Sequence, residues 1–185
     1  MARIAIIGTA GRKADGNKLN KELYGKMFHA AQKIIGGWNL TDITLVSGGA
    51  AWADHIAVSL YLAKFMNCKL ELHLPCPFDV QNTRFYDTGV VDFRTNPGGT
   101  ANYYHRQFSQ KMGGSTLTSM ARILPDIRVF DNYKGLFDRN NGVARVDYMI
   151  AFTFGYGQIP KDGGTKNTWN LSKRSTKFHQ SLYTI

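Results

Sequence analysis

Glutamate is nearly absent from this chain: Glu22 and Glu71 are the two among 185 residues. Chemistry that relies on a glutamate as nucleophile or general acid therefore has two positions to draw on. Glu22 falls in a helical stretch and Glu71 mid-strand, away from the loops where ligands bind. Cysteine is equally scarce, with Cys68 and Cys76 alone. Their separation does not suit a Cys-x-x-Cys zinc site, and two thiols on either side of a strand read as free rather than disulfide-bonded. No run approaches the ~18 consecutive apolar residues of a membrane helix. Met1-Ala2-Arg3-Ile4 leads directly into a strand-like segment without the regions of a signal peptide. The histidines His29, His55, His73, His105 and His179 show no metal-ligand spacing. His105, next to Arg106 and two tyrosines, is read as a lid residue reaching a ligand. The expectation is a cytoplasmic protein with no membrane partner, no metal and no cofactor.

What is present is positive charge and small residues. Lysine and arginine total 23 against 13 acids, a net charge of +10, and glycine occurs 19 times. That surplus favours an anionic partner, either a phosphate-bearing metabolite or nucleic acid. The length suits one domain, residues 1–185. Residues 3–7 form an apolar strand ending in Gly8-Thr9-Ala10-Gly11. Lys18 to Ile35 has helical spacing, with Asn17 as its cap and Gly36-Gly37 as its stop. A second strand, Asp42–Val46, leads to Ser47-Gly48-Gly49-Ala50 and a helix over Ala51–Phe65. A third strand spans Lys69–Leu74. This alternation predicts a mostly parallel sheet with helices on both faces, an α/β Rossmann-like three-layer sandwich.

Residues 78–126 break the rhythm with helical stretches at Ala101–Met112 and Ser115–Leu124. They are read as an inserted helical segment over one end of the sheet, serving as a lid or an oligomer contact. A short helix near 139–147, the strand Tyr148–Phe154, a glycine-rich loop and a helix over Thr165–Phe178 complete the chain.

Three glycine loops would follow the carboxyl ends of parallel strands, the edge where open α/β sheets bind ligands. Gly8-Thr9-Ala10-Gly11-Arg12 offers close backbone approach and a guanidinium for phosphate. Ser47-Gly48-Gly49-Ala50 opens onto a helix N-terminus, and Gly163-Gly164-Thr165 onto the last helix, with Thr168 one turn further in. A glycine after a strand is more often just a tight turn; three such loops on a basic chain carry more weight. None fits G-x-G-x-x-G or G-x-x-x-x-G-K-[ST], which disfavours an ordinary dinucleotide dehydrogenase and a P-loop NTPase.

The order Gly8-Thr9-Ala10-Gly11-Arg12, Ser47-Gly48-Gly49-Ala50-Ala51-Trp52-Ala53-Asp54, Arg139-Asn140 and Gly163-Gly164-Thr165 resembles the SLOG superfamily. That group includes the DNA-processing protein A, the LOG phosphoribohydrolases and nucleotide-sensing domains of bacterial defence systems. The resemblance covers most of residues 3–75 and 138–178. It implies a nucleotide or phosphate gathered by Gly8, Thr9, Gly11, Arg12, Ser47, Gly48, Gly49, Ala50, Gly164 and Thr165, with Asp54 closing the second motif. Trp52 departs from it, standing where related sequences usually have glycine. Trp169 departs too, near the position of the LOG catalytic glutamate. Gly99–Ser109 resembles a feature of phage-encoded members.

Three functions compete. The first is a sensor or sponge for a nucleotide-derived signal, NAD-derived or cyclic ligands included, which as a phage protein would counter host defence signalling. Trp52 or Trp169 would stack on a base, and Arg12, Arg139 or Lys166 would offset phosphate charge. The second is a nucleotide N-glycosidase of LOG type, for which the shortage of glutamate leaves Asp54 and Asp147 as candidates. The third is single-stranded DNA binding through Lys161, Lys166, Lys173, Arg174 and Lys177. The site expected throughout comprises the three loops with Trp52, Asp54, Arg139 and Asn140. Related domains commonly pair through helices, so a homo-oligomer is expected.

Overall fold

A computed structural model of the chain describes residues 1–161 and 163–185. Its strands are β1 (Ala2–Gly8), β2 (Ile43–Ser47), β3 (Lys69–His73), β4 (Phe78–Asp79), β5 (Arg84–Phe85), β6 (Arg128–Phe130), β7 (Tyr148–Thr153) and β8 (Thr176–Ser181). Its α-helices are α1 (Ala14–Lys18), α2 (Lys21–Gly37), α3 (His55–Leu62), α4 (Pro97–Met112), α5 (Thr116–Ile123), α6 (Leu136–Val143) and α7 (Gly164–Leu171). Six strands form one sheet in the order β6-β3-β2-β1-β7-β8, and β4 and β5 form a small antiparallel pair. Every pairing in the large sheet is parallel. This is the Rossmann-like three-layer α/β fold expected from the sequence.

The strands are apolar on both faces because both faces are covered. Along β1, Ile4 and Ile6 join the larger core with Met27, Ile35, Ile56, Leu60, Phe108 and Met120 of α2, α3, α4 and α5. Ala5 and Ile7 point the other way and pack with Val143 of α6, Trp169 of α7 and Met149 and Ala151 of β7. The chain steps outward through β1, β2, β3 and β6, then returns to lay β7 on the far side of β1. Strand order reverses between β1 and β7, and in such sheets the diverging loops leave a crevice there.

Several boundaries differ from the sequence reading. The cap of α2 is Asn20, whose Oδ1 accepts from the Leu23 amide at 2.8 Å, while Asn17 lies inside α1. Between these helices, Leu19 turns extended and buries its side chain in the core. The helix expected from Ala51 starts at His55, because Trp52 takes a left-handed φ of 63°. The helix expected over Thr165–Phe178 ends at Leu171, and Thr176–Ser181 is an edge strand paired along its whole length with β7. Its polar sequence carries no apolar period to announce it. Three-residue β6 was missed for its brevity.

The 78–126 segment is less of an appendage than expected. Phe108 and Met120 are fully buried in the main core, and Asn102 clamps β5 by accepting from the Phe85 amide and donating to its carbonyl. Trp52 is central to this packing. Its ring lies 4.4 Å from Phe108 and 6.2 Å from Tyr24, and the residue is 2% exposed. Trp52→Ala is expected to lower stability by about 3–5 kcal/mol, the range for emptying a large aromatic site. Urea denaturation measures this, and a loss under about 1 kcal/mol would contradict the central placement of the ring.

Candidate functional site

A cleft of about 590 Å³ opens at the reversal point. All three glycine loops reach it: Gly8, Thr9, Ala10 and Arg12 after β1, Gly48, Gly49 and Ala50 after β2, and Gly163, Gly164 and Thr165 after β7. Glycine at position 8 is required by packing, since a Cβ there would collide with the Phe152 carbonyl of the neighbouring strand. The Thr165 hydroxyl donates to the Gly8 carbonyl at 2.9 Å and ties the first loop to the last.

Among the described residues, α1, α3, α6 and α7 all begin at this cleft without a side-chain capping hydrogen bond. α6 starts after Gly135 and α7 after Gly163, and among the described residues neither has a capping hydrogen bond, whereas α2, α4 and α5 are capped by Asn20, Asn96 and Ser115. The first-turn N–H groups of an uncapped helix seek an external acceptor and carry the positive end of the helix dipole. Leu136 and Phe137 bring the α6 terminus to the cleft wall, as Gly164 and Thr165 do for α7.

Beneath the loops lies a buried ion pair. Asp54 Oδ2 stands 3.5 Å from Arg139 Nη1, with both side chains nearly enclosed. Asp54 occupies the cap position of α3 yet caps nothing there. Its carboxylate turns instead toward the amides of Ala50, Gly48 and Gly8. Burial pushes the Asp54 carboxyl above its ordinary value, against the opposing pull of Arg139 and those three amides. Burial lowers the Arg139 guanidinium, and Asp54 opposes that. Gly48 makes room for the pair, because a Cβ there would strike the Arg139 guanidinium. The Ser47 hydroxyl donates to the Asp54 carbonyl at 2.8 Å and accepts from the Gly49 amide at 3.1 Å, so it shapes this loop from below.

At the rim the sequence reading missed a second carboxylate. Asp15, in the first turn of α1, accepts from the Thr9 hydroxyl at 3.2 Å and pairs with Lys161 at 3.2 Å. Arg12 places its guanidinium 5.6 Å from the Phe93 ring centroid, which lays part of the 78–126 segment over the first loop. Thr100, Ala101 and Tyr104 of α4 also line the cleft, as do Lys13 and Pro75. No periodicity signal marks these residues, because loop packing brings them to the cleft.

The expected site is otherwise gathered. Asp54, Arg139, Asn140 and Thr168 line the cleft with the loops. Asn140 donates to the Asn167 side chain at 3.1 Å, linking α6 to α7. Gly11 and Ser47 support the loops without lining the cleft. Trp52 is a correction: its ring fills the core and cannot stack on a ligand. Trp169 is likewise packed between α7 and the sheet. His105 is no lid residue. It is fully buried, with its ring bonded to Thr116 Oγ1 at 2.9 Å and to the Gly49 carbonyl at 3.0 Å. Burial pushes its pKa down to about 4, so it is a neutral ring bracing the second loop.

Arg139→Met would leave the Asp54 carboxylate buried without its partner, expected to cost about 3–5 kcal/mol near neutral pH. Burial raises the pKa of Asp54 in the fold, so the folded state favours the protonated carboxyl. Loss of Arg139 raises that pKa further, so the pH-dependent part of the variant's deficit should be absent below the raised folded-state pKa of Asp54 in the parent protein and grow as pH rises above it. Denaturation of both proteins at acid and neutral pH measures the difference. A pH-independent deficit would overturn this account of the pair.

No protein-family model matches the chain. Among the described residues no helix is long and apolar enough to cross a membrane. The chain is 37% identical over 187 residues to the uncharacterized protein R261 of Acanthamoeba polyphaga mimivirus, covering 97% of this chain and 96% of that protein. With that identity along nearly the full length of both, the chain belongs to the same family as this viral protein.

Proposed function

We propose that the protein binds a phosphate-bearing nucleotide ligand in this cleft and acts as a sensor or sponge for it. The observation that carries the reading is the meeting of three glycine loops with the N-termini of α6 and α7, which carry no side-chain cap among the described residues, at one reversal point of a parallel sheet. Backbone N–H groups converging in this way form an anion site of the kind that holds phosphate. Arg12 and Lys13 add positive charge at the rim, and among the described residues neither pairs with an acid. The kinship with a viral protein is consistent with a viral origin, and withdrawal of a signalling nucleotide from host defence is the role this reading would give such a protein.

The glycosidase reading is less well served. Glu22 lies on the exposed face of α2, paired with Lys26 at 3.3 Å. Glu71 faces the α6 side of the sheet, bonded to Arg3 and His73. Among the described residues, the carboxylates that line the cleft, Asp15 and Asp54, are already engaged with Lys161 and Arg139. Nor does the basic run act as one strip. Lys161 lines the cleft, while Lys173 and Arg174 border a separate shallow depression beyond the C-terminus of α7.

Incubation with a panel of nucleotides, NAD-derived and cyclic ones included, followed by chromatography before and after denaturation, tests the reading. Recovery of an intact nucleotide is the expected result; release of a free base would favour hydrolysis, and a steep salt dependence with DNA would favour nucleic acid. Arg12→Ala should weaken the bound nucleotide about tenfold, in line with loss of a charge-assisted hydrogen bond worth about 1.5–3 kcal/mol. Its melting temperature should stay unchanged because Arg12 is exposed. Calorimetric titration with unaltered affinity would remove Arg12 from the site.

A further inference from the structure

Two donors of the cleft, one from its first loop and one from its last, are held by a carboxylate of the chain itself. Asp15 Oδ2 accepts from the Thr9 hydroxyl at 3.2 Å, and Asp15 Oδ1 accepts from the Lys161 ammonium at 3.2 Å. Thr9, Asp15 and Lys161 all line the cleft, Thr9 in the first glycine loop and Lys161 shortly before the last. An acid in the first turn of a helix ordinarily serves the positive end of its own helix. Asp15 makes no cap to α1 and bridges two loops instead. Its side chain is the more enclosed of the pair, 14% exposed against 53% for Lys161.

The segment that delivers Asp15 is seated lightly. α1 buries none of its five residues. Long polar side chains hold it: Lys111 of α4 donates to the carbonyls of Gly16 and Leu19, the second at 2.8 Å, and Lys18 donates to the Tyr183 hydroxyl at 2.7 Å. Before α1, Gly11 and Lys13 take positive φ values of 82° and 53°. After it, the buried Leu19 pins the chain to the core. Lys161 is the opposite case. Its backbone amide donates to Thr153 Oγ1 at 3.2 Å, and that oxygen is bonded in turn to the buried His179 at 2.8 Å. The lysine thus has a fixed root, while the carboxylate that holds it rides on a helix with no buried side chain.

We propose that Asp15 is a built-in competitor for the ligand's anionic group: its carboxylate holds Thr9 and Lys161, and an incoming phosphate displaces it from Lys161 as α1 swings outward between Gly11 and Leu19. The inference rests on the phosphate-ligand reading above and adds regulation of that site to it. An ion pair with a half-exposed partner is weak, so opening it costs little. A phosphate offers Lys161 more charge and more acceptor oxygens than one carboxylate does. While Asp15 stays in place, its negative charge beside Lys161 opposes a second anion. The pair therefore sets a threshold that the ligand must exceed before the cleft closes on it.

Calorimetric titration of the full chain with inorganic phosphate and with AMP tests this in the parent, Asp15→Asn, Lys161→Ala and the double variant. Asparagine keeps the size and an acceptor for Thr9 and removes the charge. Asp15→Asn should bind about tenfold tighter and Lys161→Ala about tenfold weaker, the scale of one charge-assisted hydrogen bond. In the Lys161→Ala background the gain from Asp15→Asn should fall below about threefold, because coupled residues are not additive. Hydrogen exchange reads the same contact without ligand. The amides of Gly16 and Leu19, bonded to the carbonyls of Lys13 and Asp15, should exchange about tenfold faster in Asp15→Asn. Circular dichroism checks that each variant is folded, as expected when α1 buries no residue. Weakening by both single variants would make the pair a structural brace, and equal gains in both backgrounds would make Asp15 a general repulsion. Either result, or unchanged exchange, overturns the competitor and leaves the phosphate site standing. If neither probe binds the parent or any variant, the phosphate reading falls and the competitor with it.

Discussion

The carboxylate of Asp54 joins parts of the chain that are distant in sequence and on opposite faces of the sheet. It comes from the turn before α3, on the side of the larger core, and meets Arg139 from α6 on the other side. Gly48 lies against the pair, where a Cβ would strike the Arg139 guanidinium, and a Cβ on Gly8 would strike the Phe152 carbonyl and Ala53. A buried ion pair is costly to desolvate, and it persists where further donors satisfy the carboxylate. Here the nearby amides of Gly8, Gly48 and Ala50 favour the charged carboxylate, as Arg139 does, against the larger effect of burial. The spacing of the first two loops and the docking of α6 both follow from this one arrangement, and so does the floor of the cleft.

A second polar cluster on the same face steadies α6 from behind. Glu71 accepts two hydrogen bonds from Arg3, at 2.9 and 2.6 Å, and one contact from His73 at 2.8 Å. Burial alone would push the Glu71 carboxyl up, but the bonds from Arg3 and His73 outweigh it and hold the carboxyl below its ordinary value. His73 reaches on to the Tyr133 hydroxyl at 2.6 Å, and Gly142 of α6 rests directly on both rings' polar atoms. A residue read as a stray strand glutamate thus anchors the layer that carries Arg139 and Phe137. Its contribution to stability is present above the ordinary carboxylate range and fades as acid protonates it.

The 78–126 segment combines two roles usually kept separate. Phe108, Met120 and His105 make it part of the core, and Tyr104, Thr100 and Phe93 make it one wall of the cleft. The neutral His105 ring links the two roles, because it holds the carbonyl of Gly49 from within the core. Trp52 explains why a tryptophan can occupy a left-handed backbone position that favours glycine. The ring's burial against Phe108 and Tyr24 compensates the strained turn. The same packing that excludes Trp52 from the ligand site gives the inserted segment its seat.

Much of the architecture was legible from local pattern. Apolar runs ending in glycine mark β1, β2 and β7, and the parallel sheet follows from their alternation with helices, because strand and helix periods depend on neighbours a few residues apart. The glycine loops were legible for the same reason, and the sheet's handed crossovers bring them to one edge. Edge strands β6 and β8 were not, since a short or polar strand is defined by the strand it pairs with rather than by its own residues. The site's remaining parts lay further out of reach. Asp15 with Lys161 and Arg12 against Phe93 are separated by tens of residues or more than a hundred, and nothing in their spacing relates them. The sequence by itself determined a parallel α/β sheet whose loops suit an anion. Only the tertiary structure decided which aromatics line the cleft and which fill the core, because that depends on long-range packing of helices that carry no mark of their partners.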